Sequence, residues 1–197
     1  MTSIIKVDTI QSAAGSTVLE QTNATTITIG STGQTILLNA NATQSGFGGE
    51  NTPAFYGELA SDQFVTNGVQ TKLTGMTQNE IDTDTAFDGT TFTVPSGKAG
   101  KYYIYTQLFG NFDDVGEDGK AVQLNIFKNG SSIKEAKYET LTNNDLKFLS
   151  LNTSMLINLS ESDTIEAYIV LIDVNSGTGM KANDGQTFLG GYRLIGA

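Results

Sequence analysis

Four acidic side chains crowd one short segment of the sequence, residues 111–119, which also contains two glycines. Carboxylate oxygens on a bent, glycine-containing loop are the ligands that Ca²⁺ prefers in proteins. The segment therefore carries the candidate metal ligands of the chain: Asp113, Asp114, Glu117 and Asp118. A solvated acidic loop without a bound ion accounts for the same residues, and no cofactor other than Ca²⁺ is expected.

A second acidic stretch, residues 81–85, holds Asp82 and Asp84. Two carboxylates about 5–9 Å apart can hydrolyse a glycosidic bond, so polysaccharide depolymerisation is one hypothesis. The chain has no tryptophan to form a platform for sugar stacking, and aspartate is common in turns for conformational reasons alone. We therefore predict that the protein is not an enzyme.

The residues that the chain lacks exclude most other chemistry. With no cysteine and no histidine, it cannot form a disulfide, a cysteine or histidine zinc site, or a Ser-His-Asp triad. A formal net charge of −10 gives no field that attracts nucleic-acid phosphates, so no nucleic-acid partner is expected. No apolar run reaches the roughly 18 residues of a membrane span, and the first residues lack the apolar core of a signal peptide. We expect no membrane insertion, and synthesis in a cytoplasm without export.

Residues 53–197 have the pattern of one all-β domain. Short runs rich in β-branched and aromatic residues recur between turn signals, and no stretch shows a helical period. Asn129-Gly130 is a strong hairpin signal, because a two-residue primed turn needs positive φ at both positions. The candidate strands predict a sandwich or jelly roll and cover residues 53–59, 63–73, 87–94, 100–109, 121–128, 133–139, 146–159, 164–173 and 186–195.

Two of these candidate strands, at 100–109 and 164–173, are apolar on both faces. In the first, Tyr103 and Tyr105 fall on the face opposite Ile104, because side chains alternate between the faces of a strand. A sandwich sheet with a solvated outer face should be polar on one side. The second apolar face therefore indicates a subunit interface, for which tyrosine is well suited; ordinary exposed aromatic residues are the alternative.

Residues 1–50 differ from the rest, with Lys6 as their only basic residue and apolar residues in short, spaced groups. The alternation in Thr26-Ile27-Thr28-Ile29 is typical of a strand. Because a strand pair with one apolar stripe is marginal in water, we expect an intertwined β stalk in which three chains bury the stripe formed by Ile27, Ile29, Ile36 and Leu38. A disordered linker rich in threonine and serine is the alternative.

Residues 53–197 resemble the globular head of the complement component 1q and tumour necrosis factor superfamily. After PAF at 53–55, the matching pieces follow in the family's order: FDGTTFTVP (87–95), AGKYY (99–103), LNIFKNG (124–130), LSESDTI (159–165) and TFLGGYRLIG (187–196). The family's usual Gly-Asp is replaced by Ser162-Asp163. The resemblance implies a ten-stranded jelly roll that forms a homotrimer, with Tyr103, Tyr105, Phe188 and Tyr192 at the trimer interface.

The N-terminal sequence SIIKVDTIQSAAG (3–15) resembles the opening of tail-fibre and virion-appendage proteins of marine bacteriophages. This resemblance implies a trimeric virion protein, made in the cytoplasm of a bacterial host, whose residues 1–50 attach to other virion proteins. Its head, residues 53–197, is expected to bind a glycan or protein on the host surface. A capsid decoration protein without a receptor is the alternative, and a polysaccharide depolymerase is the third.

Overall fold

The computed structural model describes residues 51–112, 119–140, 146–174 and 179–194. These residues contain no helix and form twelve strands. The strands are β1 (Ala54–Leu59), β2 (Gln63–Thr66), β3 (Gln70–Lys72), β4 (Met76–Asp82), β5 (Phe92–Thr93), β6 (Gly100–Asn111), β7 (Gly119–Lys128), β8 (Ser131–Glu139), β9 (Phe148–Leu159), β10 (Thr164–Val174), β11 (Gly179–Ala182) and β12 (Phe188–Arg193).

The larger sheet has seven strands, and its centre is β6. One edge of β6 pairs with β9 along its whole length, from Gly100 opposite Leu159 to Asn111 opposite Phe148. The other edge pairs first with β12 and then with β11. The sheet continues from β12 to β1 and β4, and from β11 to β2, always with antiparallel neighbours.

The smaller sheet has five strands centred on β10 and β7. β7 pairs with β10 on one side and with β8 on the other. The second edge of β10 pairs with β5 and then with β3. All of these pairings are antiparallel, so the predicted all-β fold of two packed sheets is confirmed.

Alternation along the strands supplies the core between the two sheets. In β6, Tyr102, Ile104 and Leu108 are buried together with Thr106, while Tyr103, Tyr105 and Gln107 face away from the core. β10 contributes Ile165, Ile169 and other buried residues in the same way. The core includes a group of aromatic rings in which Phe55 and Phe92 stack with centroids 4.2 Å apart; its other rings belong to Phe87 and Tyr102.

The predicted hairpin at Asn129-Gly130 is confirmed, because both residues have positive φ, 50° and 76°, between β7 and β8. Ser162, which replaces the glycine usual in the resembled family, also has a positive φ of 66°. Glycine adopts that conformation without steric cost, which explains the family's preference at this turn.

The strand prediction needs four corrections. Of the run predicted at 87–94, only β5, Phe92–Thr93, is a strand, because Asp88 and Gly89 begin a turn. The described residues form twelve strands, not ten. The run predicted at 63–73 is broken into β2 and β3 around Gly68, which has a φ of 72°. β4 and β11 were not predicted, because the first is mostly polar and the second has only four residues.

Residues 1–50, and with them the predicted stalk and its stripe of Ile27, Ile29, Ile36 and Leu38, lie outside the described residues. The chain divides between residues 45 and 46, and every described residue belongs to the second unit, Gly46–Ala197. The described part of the chain offers no helix that could cross a membrane.

Candidate functional site: an aromatic face on the larger sheet

The outer face of the larger sheet carries a continuous row of aromatic side chains. We call Tyr56, Tyr103, Tyr105, Phe188 and Tyr192 the ring ladder. β6 contributes two of these residues, β12 two and β1 one. They meet because Tyr103 lies opposite Tyr192, and Tyr105 and Tyr56 both lie opposite Gly190.

Ring contacts run through the whole ladder. Centroids are 5.4 Å apart for Tyr56–Phe188, 6.1 Å for Phe188–Tyr105, 5.9 Å for Tyr105–Tyr103 and 5.7 Å for Tyr103–Tyr192. These separations lie in the favourable range for tilted or offset aromatic pairs. The ladder is therefore a packed surface layer and not a set of separate exposed rings.

Apolar residues at both edges of this face are more exposed than the rings of the ladder. Leu156 on β9, opposite Tyr103, is 66% exposed, and Phe148 at the start of β9 is 51% exposed. Ile81 on β4, opposite Tyr56, is 44% exposed. The face thus has exposed apolar edges around a more buried aromatic centre.

Charge is sparse beside the ladder. β9 contains no acidic or basic residue, and its side chains on this face next to Tyr105 and Gln107 are Ser154 and Asn152. An exposed surface rich in aromatic residues and poor in charge has the composition of the centre of a protein–protein interface. Contiguous exposed apolar patches are uncommon on monomers and mark interaction sites.

Two tyrosines of the ladder, Tyr56 and Tyr105, are held in the neutral form by their surroundings. Burial raises the pKa of Tyr105, and the neighbouring Tyr192 and Tyr103 raise it further. Burial also raises the pKa of Tyr56, whose hydroxyl donates a hydrogen bond of 3.3 Å to Glu58. The centre of the face is therefore neutral over the physiological range.

Gly190 shapes the centre of the ladder. A Cβ atom at this position would lie 2.5 Å from Cζ and 2.6 Å from the hydroxyl of Tyr105. The Tyr105 ring therefore lies directly over the glycine. Its neighbour Gly191 is similarly enclosed, with Ile104 and the Tyr103 carbonyl nearby.

All four ladder residues predicted from the sequence come together on this face: Tyr103, Tyr105, Phe188 and Tyr192. Sequence reasoning missed Tyr56, Leu156 and Phe148. A signal for Tyr56 was present, because it alternates with the buried Phe55 in β1. Leu156 and Phe148 gave no such signal, since their exposure depends on β6 being the one described strand that pairs with β9.

The candidate Ca²⁺ ligands of the first acidic loop, Asp113, Asp114, Glu117 and Asp118, lie outside the described residues. Among the residues that are described, no group of three acidic side chains is placed to hold a metal ion. The Ca²⁺ site remains a prediction.

The two carboxylates of the second acidic loop are each held by a contact within the fold. Asp82 accepts hydrogen bonds from the N–H groups of Ala86 at 2.8 Å and Phe87 at 3.4 Å. Asp84 lies 3.2 Å from Lys98 Nζ and borders an open cavity of about 440 Å³. The first of these carboxylates is a structural turn residue, and the second is held in an ion pair.

Comparison with known proteins identifies the fold. No protein-family model matches the chain, and no curated protein matches it in sequence. Among solved structures, Eiger TNF from S. frugiperda superposes with a TM-score of 0.51 at 10% identity, over 74% of this chain and 95% of that one. Murine APRIL at pH 8.5 superposes with a TM-score of 0.50 at 12% identity, over 72% and 99%. The described residues therefore have a jelly-roll fold similar to that of tumour necrosis factor-like proteins, as the sequence resemblance implied.

Proposed function

We propose that this chain is a homotrimeric surface protein of a bacteriophage virion, and that its function is binding and not catalysis. The head, residues 53–197, assembles through the outer face of the larger sheet. Residues 1–50 attach the trimer to other virion proteins. Loops of the head at the end away from residue 53 contact a glycan or protein on the host surface.

The observation that carries the proposal is the ring ladder with its exposed edge. Five contacting rings and the largely exposed Leu156 form an apolar surface that gains free energy by leaving water. A second copy of the chain supplies a surface of matching chemistry. The fold similarity supports this arrangement, because sequence resemblance to the same superfamily implies a trimer.

The two parts of the face favour a ring of copies over a pair. The exposed edge at Leu156 and the more buried centre around Gly190 are different patches, and we infer that the edge of one copy contacts the centre of the next. Such head-to-tail contacts use two unlike patches and generate closed rings when the rotation closes. Three copies in one ring also let weak host contacts act together, which increases avidity.

The binding role is supported by what the described carboxylates do. Asp82 and Asp84 hold the turn and an ion pair and are not held free beside each other for acid–base work. The virion assignment is supported separately by the resemblance of residues 3–15 to bacteriophage appendage proteins.

Sedimentation equilibrium of the full chain tests the assembly. Three copies of 20.9 kDa give a species of about 63 kDa, which we expect at micromolar concentration. Leu156→Lys is expected to give monomers that keep the β-sheet circular dichroism spectrum. Val69→Lys is the matched control, because Val69 is also exposed, at 50%, but lies outside the face. A wild-type monomer at micromolar concentration would refute the trimer.

Adsorption to host cells tests the virion role. We expect the protein to be present in purified particles of the phage that encodes it, and soluble trimer to compete with those particles for adsorption. Particles that lack the protein but adsorb normally and break easily would instead identify a capsid decoration protein. Absence from the particle would refute both.

A further inference from the structure

The cavity of about 440 Å³ that Asp84 borders opens beside the segment that joins the two sheets. This segment runs from the end of β4, in the larger sheet, to β5, in the smaller one. The described residues that line the cavity include no residue of the ring ladder and none of its exposed edges, Leu156, Phe148 and Ile81. Its volume is within the range of sites that bind small molecules. The cavity is therefore distinct from the residues assigned to the trimer contact.

Hydrogen bonds within the fold hold the walls of the cavity in place. Asp88 Oδ1 accepts hydrogen bonds from the backbone N–H groups of Thr90 at 2.9 Å and Thr91 at 2.7 Å. The N–H of Met76 donates to the carbonyl of Gly89 at 2.9 Å, which connects this turn to β4. The cavity therefore has its shape before a ligand binds, and binding does not have to order the loop.

Three threonines bring hydroxyl groups to the cavity. The hydroxyl of Thr91 is already bonded, since it accepts from Lys72 Nζ at 2.8 Å and donates to Glu166 at 3.2 Å. Thr85 and Thr93 are exposed, and their side chains make no hydrogen bond within the described part of the chain. Two hydroxyls, each able to donate and to accept, are therefore available to a ligand.

The backbone of Thr85 has an unusual conformation. Its φ is 54°, and a positive φ is a genuine outlier for a β-branched residue. Glycine would adopt the same conformation without steric cost. Residues held in such conformations cluster at ligand sites. The conformation therefore supports a role for the Thr85 side chain, which lines the cavity.

Most of the charge around the cavity is neutralised. Asp84 lies 3.2 Å from Lys98 Nζ, and Glu166, which contacts one of the lining threonines, lies 2.6 Å from Lys72 Nζ. Among the described residues, Asp88 is the one lining carboxylate without an ion pair. The cavity is thus weakly acidic, which disfavours an anionic ligand, while its carboxylate oxygens still accept hydrogen bonds.

The rest of the lining is apolar and consists of Ala86, Phe87 and Pro95. A sugar ring has surfaces that match both parts of the lining. Its hydroxyls donate to carboxylates and exchange hydrogen bonds with threonine hydroxyls, whereas its C–H groups pack against apolar side chains. The apolar wall thus provides, for a single sugar unit, the contact that a tryptophan platform would otherwise supply.

We propose that this cavity binds one uncharged sugar unit, which Thr85, Thr93 and Asp88 hold against the apolar wall. The site goes beyond the proposed function, because it lies toward the end of the head that carries residue 53. Lys98, which pairs with Asp84, also donates to Thr52 at 3.1 Å, whereas the host-contacting loops are at the opposite end. The inference needs neither the trimer nor the virion role, since a monomer presents the same cavity.

Saturation-transfer difference NMR with the full chain tests the site. The probes are the uncharged sugars glucose, galactose, mannose and N-acetylglucosamine at millimolar concentration, with cationic glucosamine and anionic galacturonate for comparison. We expect transfer to the ring protons of at least one uncharged sugar, with a Kd on the order of 1 mM. Transfer to glucosamine alone would identify an amine site and overturn the proposal, as would no transfer to any uncharged sugar. Transfer from a chain that sediments as a monomer would refute the trimer and still support the cavity.

Removal of a single hydroxyl locates the bound sugar. Thr93→Val keeps the shape of the side chain, and we expect it to weaken binding about fivefold. Thr66→Val is the matched control, because Thr66 is also an exposed strand threonine but does not line the cavity. Unchanged binding in Thr93→Val, or equal losses in the two variants, would overturn the proposal.

Thr85→Gly separates a binding role from a structural one. Glycine adopts a φ of 54° freely, so we expect binding to weaken about fivefold while the thermal midpoint does not fall. A threonine that serves only the structure of the loop would give the opposite result, a lower midpoint with unchanged binding, and that result would contradict the assignment of Thr85.

Discussion

At the scale of single residues, Asp163 connects the turn at Asn129 with its own turn at Ser160. Its carboxylate accepts hydrogen bonds from the Asn129 side chain and the Ser160 backbone N–H, both at 2.7 Å. Lys128 Nζ lies 2.7 Å away. Burial opposes ionisation of this carboxyl, but these donors outweigh it and lower the pKa from 3.8 to about 2. The ionised form therefore stabilises the fold.

The lowered pKa predicts how stability responds to acid. A carboxyl whose pKa falls on folding contributes its full stabilisation above the unfolded value, 3.8, and loses it as the pH drops through about 2. We expect Asp163→Asn to cost about 1–2 kcal/mol at neutral pH and to flatten the stability curve in that window. Urea unfolding at a series of pH values measures both. Asp184→Asn, at an exposed site, is the control; equal acid slopes for the wild type and Asp163→Asn would contradict the argument.

At the scale of strands, β12 is the element that brings the ring ladder together. It lies between β1 and β6, and its Gly190 is opposite both Tyr56 and Tyr105. Because glycine has no side chain, the Tyr105 ring occupies the space above it. The packing at the centre of the face therefore depends on the position of β12 between β1 and β6 as well as on the aromatic residues.

Gly190→Ala is expected to alter this centre without unfolding the head. The added methyl group would meet the end of the Tyr105 side chain, which can turn outward, so the backbone need not move. We expect the dissociation constant of the trimer to rise at least about tenfold, because packing at an interface centre tolerates little change in shape. The thermal midpoint is expected to change little. Ser154→Ala, opposite Tyr105 on its other side, is the control. An unchanged dissociation constant would show that Gly190 does not shape the contact.

The strands also show what the sequence can and cannot predict. The long strands β6, β7, β9 and β10 were predicted to within two residues at each end, because alternation over eight or more residues is a strong signal. β4 was missed because its polar sequence is held by pairing with β1, a long-range contact. The ladder was predicted in β6 and β12, whereas its exposed edge on β9 depends on sheet order, which alternation alone does not specify.

At the scale of the whole molecule, the two sheets differ in what their outer faces carry. The larger sheet presents the ring ladder beside the uncharged β9, while the smaller sheet carries ion pairs such as Lys72–Glu166, at 2.6 Å. Burying the first face in an assembly leaves the second in contact with water. This arrangement suits a chain of net charge −10. Copies of such a chain repel each other, and the repulsion is smaller when the charged surfaces lie away from the contact.

The ladder also predicts that the assembly dissociates in alkali before the head unfolds. Burial, together with Tyr192 and Tyr103, raises the pKa of Tyr105, so its neutral form stabilises the folded face below pH 10.0 and that stabilisation is lost as the pH rises through the raised pKa. Tyr102, in the core, has its pKa raised to about 12, mainly by burial, so the core resists ionisation to a higher pH.

We expect the 63-kDa species to be lost above about pH 10 while the β-sheet circular dichroism signal persists. Tyr105→Phe cannot ionise and should move the loss to higher pH, whereas Tyr138→Phe, on the other sheet, should not. Loss of mass and of fold at the same pH in all three proteins would mean that the tyrosines of the ladder do not hold the assembly.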